Sequence, residues 1–262
     1  MTLESALHLA LEHNEFTVAY QPQCDIKTGE LLGIEALVRW RRPDDAADLV
    51  SAFRFIAAAE ESGIIVQLDQ FVMRQAFRQM KQWLDSGKVN AGVTLSVNMS
   101  AKLFDNEDIP HLVGRILDES GLPADAIEVE VTESIMMRDV SRTTEVLSQL
   151  RQLGVKVAID DFGTGYSSLA YLRNLPISRL KIDRMFVLDA PIKDNDAAIT
   201  QTIVALAESL KLDVLAEGVE TQAQSDFLLD LGCHAAQGYW FSEPLLAGPF
   251  EDFLRKSQVT DG

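Results

Sequence analysis

The chain has 262 residues, 47% of them hydrophobic, and a formal net charge of −17. That apolar content allows a large core, and the excess of carboxylates argues against a general binder of DNA or RNA, whose affinity comes from Lys and Arg on phosphates. Two cysteines, Cys24 and Cys233, make neither a disulfide framework nor a thiolate zinc set. No signal-peptide pattern and no apolar run of membrane-spanning length stands out, so a cytoplasmic setting is expected. No Pro-, Gly- or Ser-rich linker interrupts the chain, and 1–262 is read as a single domain with a linker-like helix at 1–14.

A short amphipathic helix is predicted over 2–13, with Leu3, Leu7 and Leu11 on one face. Two strand-like runs follow, 16–23 and 31–40. The connection from Asp25 to Glu30 is too short for a crossover helix, so these strands are predicted as antiparallel neighbours. Helices are predicted at about 52–60 and 65–85, the latter with Leu68, Val72, Ala76, Met80 and Trp83 at helical spacing. The pattern then alternates: strand 93–98, helix 108–119, strand 127–132, helix 141–153, strand 155–160 and a short helix after Tyr166. It continues with strand 178–183, helix 195–211, strand 213–217, helix 221–231, strand 234–238 and a closing helix near 249–256. Such alternation predicts an α/β protein with a parallel sheet. Eight strands in a chain of this length predict a closed (β/α)8 TIM-like barrel variant with one antiparallel strand, from the initial hairpin. An open doubly wound sheet is the second choice.

Alternate side chains of a strand face opposite ways. By that parity Asn98, Glu130, Asp160, Lys181 and Asp183 lie opposite the apolar faces of their strands, Glu35 and Arg39 share a face, and Glu217 ends its strand. All except Glu35 fall near C-terminal strand ends, where barrel enzymes assemble their sites. Asn98, Glu130, Asp160, Asp161, Lys181 and Glu217 can therefore meet in one mouth. Each has a plainer explanation taken alone: Asp160, Asp161 or Glu217 as a helix cap, Lys181 as a solvated charge, Asn98 as a turn former. Clustered carboxylates with an amide oxygen suit a hard, oxygen-liganded cation such as Mg²⁺ or Mn²⁺. The run Asp161-Phe162-Gly163-Thr164-Gly165-Tyr166 lacks the spacing of phosphate-cradling loops. No nucleophile elbow is visible, so metal-assisted hydrolysis fits better than covalent catalysis.

Glu35-Ala36-Leu37, followed by Val38-Arg39-Trp40, resembles the signature of EAL domains, bacterial cyclic di-GMP phosphodiesterases. The resemblance continues in order along the chain through Tyr20-Gln21-Pro22, Val97-Asn98-Met99-Ser100, Glu130-Val131-Thr132-Glu133-Ser134 and the run 160–169. Leu180-Lys181-Ile182-Asp183, Ala216-Glu217-Gly218-Val219-Glu220 and Gln237-Gly238-Tyr239 complete it. It implies that Glu35, Asn98, Glu130 and Asp160 hold one Mg²⁺ or Mn²⁺, with Asp160 bridging to a second held by Asp161 and Glu217. It implies Glu217 as general base, Lys181 as the residue that positions the attacking water, and Glu133 as the residue that orders the loop 161–169. Gln21, Arg39, Asp183 and Gln237 would contact cyclic di-GMP, Arg39 being suited to a phosphate. The implied product is linear 5′-pGpG. A homodimer is expected, and the domain is expected within a larger sensory or GGDEF-containing protein.

The sequence departs from the family at 41–48 and at Leu245-Leu246-Ala247-Gly248, outside the implied metal set. Two other readings stand beside hydrolysis: a receptor that binds cyclic di-GMP without cleaving it, and an unrelated metal-dependent barrel lyase or aldolase.

Overall fold

The computed structural model describes residues 3–42, 49–106, 108–165, 172–190 and 192–259. The expected helix after Tyr166 and most of the divergent 41–48 stretch lie outside the described residues.

Helix α1 (Leu3–Glu12) leads into the hairpin strands β1 (Phe16–Asp25) and β2 (Leu31–Arg41), with the short β3 (Leu49–Ser51) beyond. The predicted 52–60 helix is a 3₁₀ turn at Ala52–Arg54 followed by α2 (Ile56–Ser62), and α3 (Ile65–Asp85) has the predicted limits. Then come β4 (Thr94–Asn98), α4 (Ala101–Asn106), α5 (Ile109–Ser120), β5 (Ile127–Thr132), α6 (Glu133–Arg138), α7 (Val140–Gln152) and β6 (Lys156–Phe162). The rest comprises β7 (Arg179–Ile182), α8 (Arg184–Leu188), α9 (Asp194–Leu210), β8 (Asp213–Ala216), α10 (Gln222–Asp230), β9 (Ala235–Gln237), β10 (Leu245–Leu246) and α11 (Ala247–Val259).

The barrel closes through β1, which pairs antiparallel with both β2 and β9. From β2 through β4, β5, β6, β7 and β8 to β9 every pairing is parallel. The eight-stranded barrel with one reversed strand is thus as the hairpin argument required. β3 extends the β2 edge and β10 pairs with β1.

Helix limits follow local chemistry. Asp108 accepts the His111 N–H at the start of α5, and Gly121 ends it in the left-handed region at φ 67°. Thr221 and Gln224 form a reciprocal capping box on α10. Because β1 turns straight back in a hairpin, no crossover helix of its own covers its outer face. The end of α3 and the C-terminal α11 cover it instead, with Tyr20, Trp83 and Phe250 in ring contact at 4.8 Å and 5.2 Å between neighbours. The outer wall elsewhere is apolar, as in Leu95, Val97, Val129, Val157, Ile159 and Ile182, all buried under the helices.

The lumen is different. Barrel interiors are ordinarily filled by Val, Ile and Leu. Here Gln21, Gln23, Glu35, Thr94, Ser96, Glu128, Glu130 and Lys181 are all buried on strands β1, β2, β4, β5 and β7. A lumen of charged and amide groups holds together only if those groups are paired, and their pairing defines the site.

Candidate active site

Strand ends deliver the predicted residues to one mouth. Asn98 ends β4 opposite Glu130 of β5, and Gln21 of β1 lies opposite Glu35 of β2. Glu217 follows β8 directly and Gln237 ends β9. Strand alternation alone would turn Asp160 and Asp161 to opposite faces. The β6–β7 register shifts between Ile159 and Phe162, and Asp161 takes a left-handed φ of 54°. This irregularity lets ligand oxygens of Asp160, Asp161 and Glu217 lie within 4.8 Å of one another. A non-glycine residue held at positive φ costs energy that the surroundings must sustain, and such residues gather at functional sites.

Lys181 sits at the centre, fully buried. Its Nζ lies 2.6 Å from Glu130 Oε2, 2.6 Å from Glu217 Oε1, 3.2 Å from Asp160 Oδ1 and 3.9 Å from Glu35 Oε1. Burial alone would lower its pKa, but the carboxylates of Asp160, Glu130, Glu217 and Glu35 hold it well above the ordinary value. Burial raises Glu217 to about 8, Lys181 opposing and Asp160 and Glu35 adding to the rise. Burial likewise raises Glu130 well above the usual range, against the pull of Lys181. Asp161 rises to about 7 through burial, the adjacent Asp160 and a hydrogen bond with Asp183.

Asn98 Nδ2 donates to Glu35 Oε1 at 2.8 Å, leaving the amide oxygen available as a ligand. Gln237 Nε2 donates to Gln21 Oε1 at 3.0 Å and to Glu35 Oε2. Glu130 Oε1 is buried without a hydrogen-bond partner. Four carboxylates, Glu35, Glu130, Asp160 and Glu217, thus face one buried ammonium, with Asp161 beside Asp160 and Glu217. An orphaned buried carboxylate oxygen and an all-oxygen donor set fit a divalent cation. Glu217 does not cap α10, since Thr221 does.

Glu133, the first residue of α6, lies outside this ring and is buried. Its Oε2 accepts the N–H groups of Gly163 at 3.1 Å and Gly165 at 3.3 Å. A Cβ on Gly165 would come 2.7 Å from Glu133 Oε1, so only glycine permits this approach. Glu133 therefore grips the loop after β6 through residue 165; Tyr166–Leu169 of the expected run lie outside the described residues.

A cavity of about 420 Å³ opens above the carboxylates, lined by Gln21, Arg39, Tyr239, Arg184 and Pro244 among others. Asp183 is turned elsewhere: its Oδ1 accepts the Met185 N–H at 2.6 Å as the cap of α8, and it reaches the site through Asp161. Tyr239 and Arg184 are rim residues that the strand pattern could not flag, because both lie beyond strand ends. The exposure of Tyr239, 60% for an aromatic side chain, is the structural sign that marks it.

The fold and site together define a barrel whose mouth gathers acidic ligands from successive strand ends. The EAL domain family model matches residues 4–244, and the chain belongs to that family. The cyclic di-GMP phosphodiesterase NbdA of Pseudomonas aeruginosa is 42% identical over 255 residues, 97% of this chain and 32% of that protein. MucR of the same organism, a bifunctional diguanylate cyclase and cyclic di-GMP phosphodiesterase, is 43% identical over 241 residues, 92% of this chain and 35% of that protein. The chain spans about a third of the length of the curated relatives it matches. The solved c-di-GMP complex of the PaMucR phosphodiesterase superimposes with a TM-score of 0.91 at 42% identity, covering 95% of this chain and all of that one.

Proposed function

We propose that the chain is a phosphodiesterase that hydrolyses cyclic di-GMP to linear 5′-pGpG with the help of divalent cations, Mg²⁺ or Mn²⁺. The observation that carries this reading is the convergence of Asp160, Asp161, Glu217 and the unpartnered Glu130 Oε1 in the barrel mouth. Glu35, Asn98, Glu130 and Asp160 would hold one ion, and Asp160, Asp161 and Glu217 a second. Such ions, when bound, offset the phosphodiester charge and acidify water.

The chain's own groups do the remainder. Gln21, Arg39 and Gln237 contact the substrate, Arg39 offering its guanidinium to a phosphate oxygen, while Asp183, expected as a contact, acts through its hydrogen bond with Asp161. Glu217 accepts the proton of the attacking water and Lys181 orients that water. A bond forms from the water oxygen to phosphorus and the P–O3′ bond breaks; O3′ leaves as the 3′-hydroxyl, taking a proton from solvent, and the 5′-phosphate stays on the product. Glu133 holds the loop after β6 in place beside Asp160 and Asp161. The cationic groups of the mouth reconcile an anionic substrate with a chain of charge −17. The reading carries with it a homodimer, a cytoplasmic setting and a place within a longer sensory or GGDEF-containing protein.

Incubation with cyclic di-GMP and Mg²⁺ or Mn²⁺, followed by nucleotide chromatography, tests it. Metal-dependent appearance of 5′-pGpG, lost in Glu217→Ala and in chelator, is expected. Binding without cleavage would instead make the chain a receptor.

A further inference from the structure

Directly beneath the ring of carboxylates lies a second ionic layer that the reading above leaves without a role. Arg179 precedes Lys181 by two residues on β7, and Glu128 precedes Glu130 by two on β5, so each pair shares the lumen face of its strand. The strands are consequently tied by two stacked ionic rungs. Glu130 meets Lys181 at 2.6 Å, and Glu128 Oε1 meets Arg179 Nη1 at 2.8 Å. Both rungs span β6, which carries the small Ala158 between them and Lys156 below it, in register with Glu128.

The lower rung is buried, and its Glu128 Oε2, Arg179 Nε and Gln23 Nε2 have no hydrogen-bond partner among the described residues. Glu128 is buried to 1% exposure, and its Oε1 also accepts the Ser96 hydroxyl at 3.2 Å. Arg179 Nη1 donates to Gln23 Oε1 at 3.3 Å as well. Gln23 reaches it by lying across Gly33, where a Cβ would collide with the Gln23 amide oxygen. Among the described residues, Arg179 is the cation paired with Glu128.

We propose that Arg179 is a positioning residue for the catalytic centre: by neutralising Glu128 below, it keeps the Lys181 ammonium at the level of Glu217 and Asp160. A buried carboxylate deprived of its partner seeks the nearest cation or a proton. Lys156 of β6 lies opposite Glu128 on the floor side, and on the mouth side the next cation is Lys181, on a flexible four-carbon stem. Without Arg179, Glu128 draws that ammonium down and away from Glu217. With Arg179 in place the lower carboxylate is paired in charge through Oε1, while its Oε2 has no hydrogen-bond partner, and a second positive charge beneath Lys181 repels it toward the mouth. The same displacement also changes the metal site, because the ammonium and divalent cations compete for the same carboxylates.

This inference rests on the proposed hydrolysis, and its test separates the two. Arg179→Gln, Glu128→Gln/Arg179→Gln and the wild-type chain are compared by steady-state kinetics on cyclic di-GMP. Binding of Mn²⁺ to metal-free protein, without substrate, is followed by electron paramagnetic resonance. For Arg179→Gln, kcat is expected to fall about tenfold or more with KM little changed, while Mn²⁺ binds more tightly than in wild type. The double variant, which removes the stranded carboxylate, is expected to recover both toward wild type. A merely structural role would lower stability in both variants and would not tighten Mn²⁺ binding. Wild-type kcat and Mn²⁺ affinity in Arg179→Gln, or a double variant no better than the single one, overturns the inference while leaving the hydrolysis intact. Should Arg179→Gln not fold, a folded double variant with wild-type kcat and Mn²⁺ affinity supports the inference, and a folded but inactive one overturns it. A wild-type chain that neither cleaves cyclic di-GMP nor binds Mn²⁺ overturns both.

Discussion

Replacing Lys181 by Met removes the one ammonium that four carboxylates share. The Lys181 side chain is wholly buried, with Glu130 and Glu217 each 2.6 Å away, Asp160 at 3.2 Å and Glu35 at 3.9 Å. Removing one partner of a buried ion pair costs about 3–5 kcal/mol, because the remaining charge is stranded. A domain of this size loses about 2–4 °C of Tm per kcal/mol. In chelator at neutral pH the variant should therefore melt about 6–20 °C below wild type, with proton uptake by the carboxyls pulling the loss toward the lower figure. Divalent cations should then rescue it. Mn²⁺ at a hundred times its Kd contributes about 2.7 kcal/mol, and it meets no competing ammonium in the variant. Circular-dichroism melts of both proteins in EDTA and in a Mn²⁺ titration give the comparison. A variant that melts within about 2 °C of wild type in EDTA, or that gains no more from Mn²⁺ than wild type does, refutes the central place given to this ion cluster.

The raised carboxyls make a pH prediction for the metal-free chain. Glu217 at about 8 and Asp161 at about 7 favour the protonated form in the folded state, so their contribution is fully present below the unfolded pKa near 4 and is lost as pH rises through 7 and 8. Tm in EDTA should fall between pH 5 and 8.5, and saturating Mn²⁺, which binds the deprotonated groups, should flatten or reverse that slope; a flat EDTA profile would count against the assignment. Gly165→Ala puts a Cβ 2.7 Å from Glu133 Oε1, and it should cut kcat while shifting Tm by no more than about 2 °C, since the loop is at the surface. An unchanged kcat in that variant would show that the Glu133 grip on the loop is dispensable.

Strand parity and strand ends were legible in the residues themselves. Asn98, Glu130, Asp160 and Lys181 each alternate with large apolar neighbours, and that was enough to bring them to one mouth. Asp161 is legible by its place at a strand end but not by parity, because what turns it into the mouth is a register shift and a left-handed φ that no periodicity displays. The helices α4, α6 and α8 follow their strands directly and have five or six residues, too few for a helical repeat to declare itself. β3 and β10, of three and two residues, are equally silent. The Glu128–Arg179 rung had a visible sign, since both residues share parity with site residues. It lies one layer beneath the strand ends, where position along a strand no longer marks function. The pairing of Lys181 with four carboxylates is a matter of distance across the lumen, which one strand's sequence cannot express.

The reversed course of β1 has a consequence for how this barrel can be handled from outside. In a barrel of parallel strands the first strand enters at the floor, and whatever precedes it is kept a barrel's height from the chemistry. Here Phe16 pairs with Trp40, and the Glu15 carbonyl receives the Arg41 N–H at 2.8 Å, so the polypeptide is threaded in from the catalytic end. Helix α1, seated by buried Leu7 and Ala10, is thereby a handle fixed to the rim that carries Arg39. A twist or pull on that helix would reach the cavity above the carboxylates through a few peptide bonds, with no need to cross the rigid staves of the barrel. Any segment joined ahead of it would hold the short end of a lever.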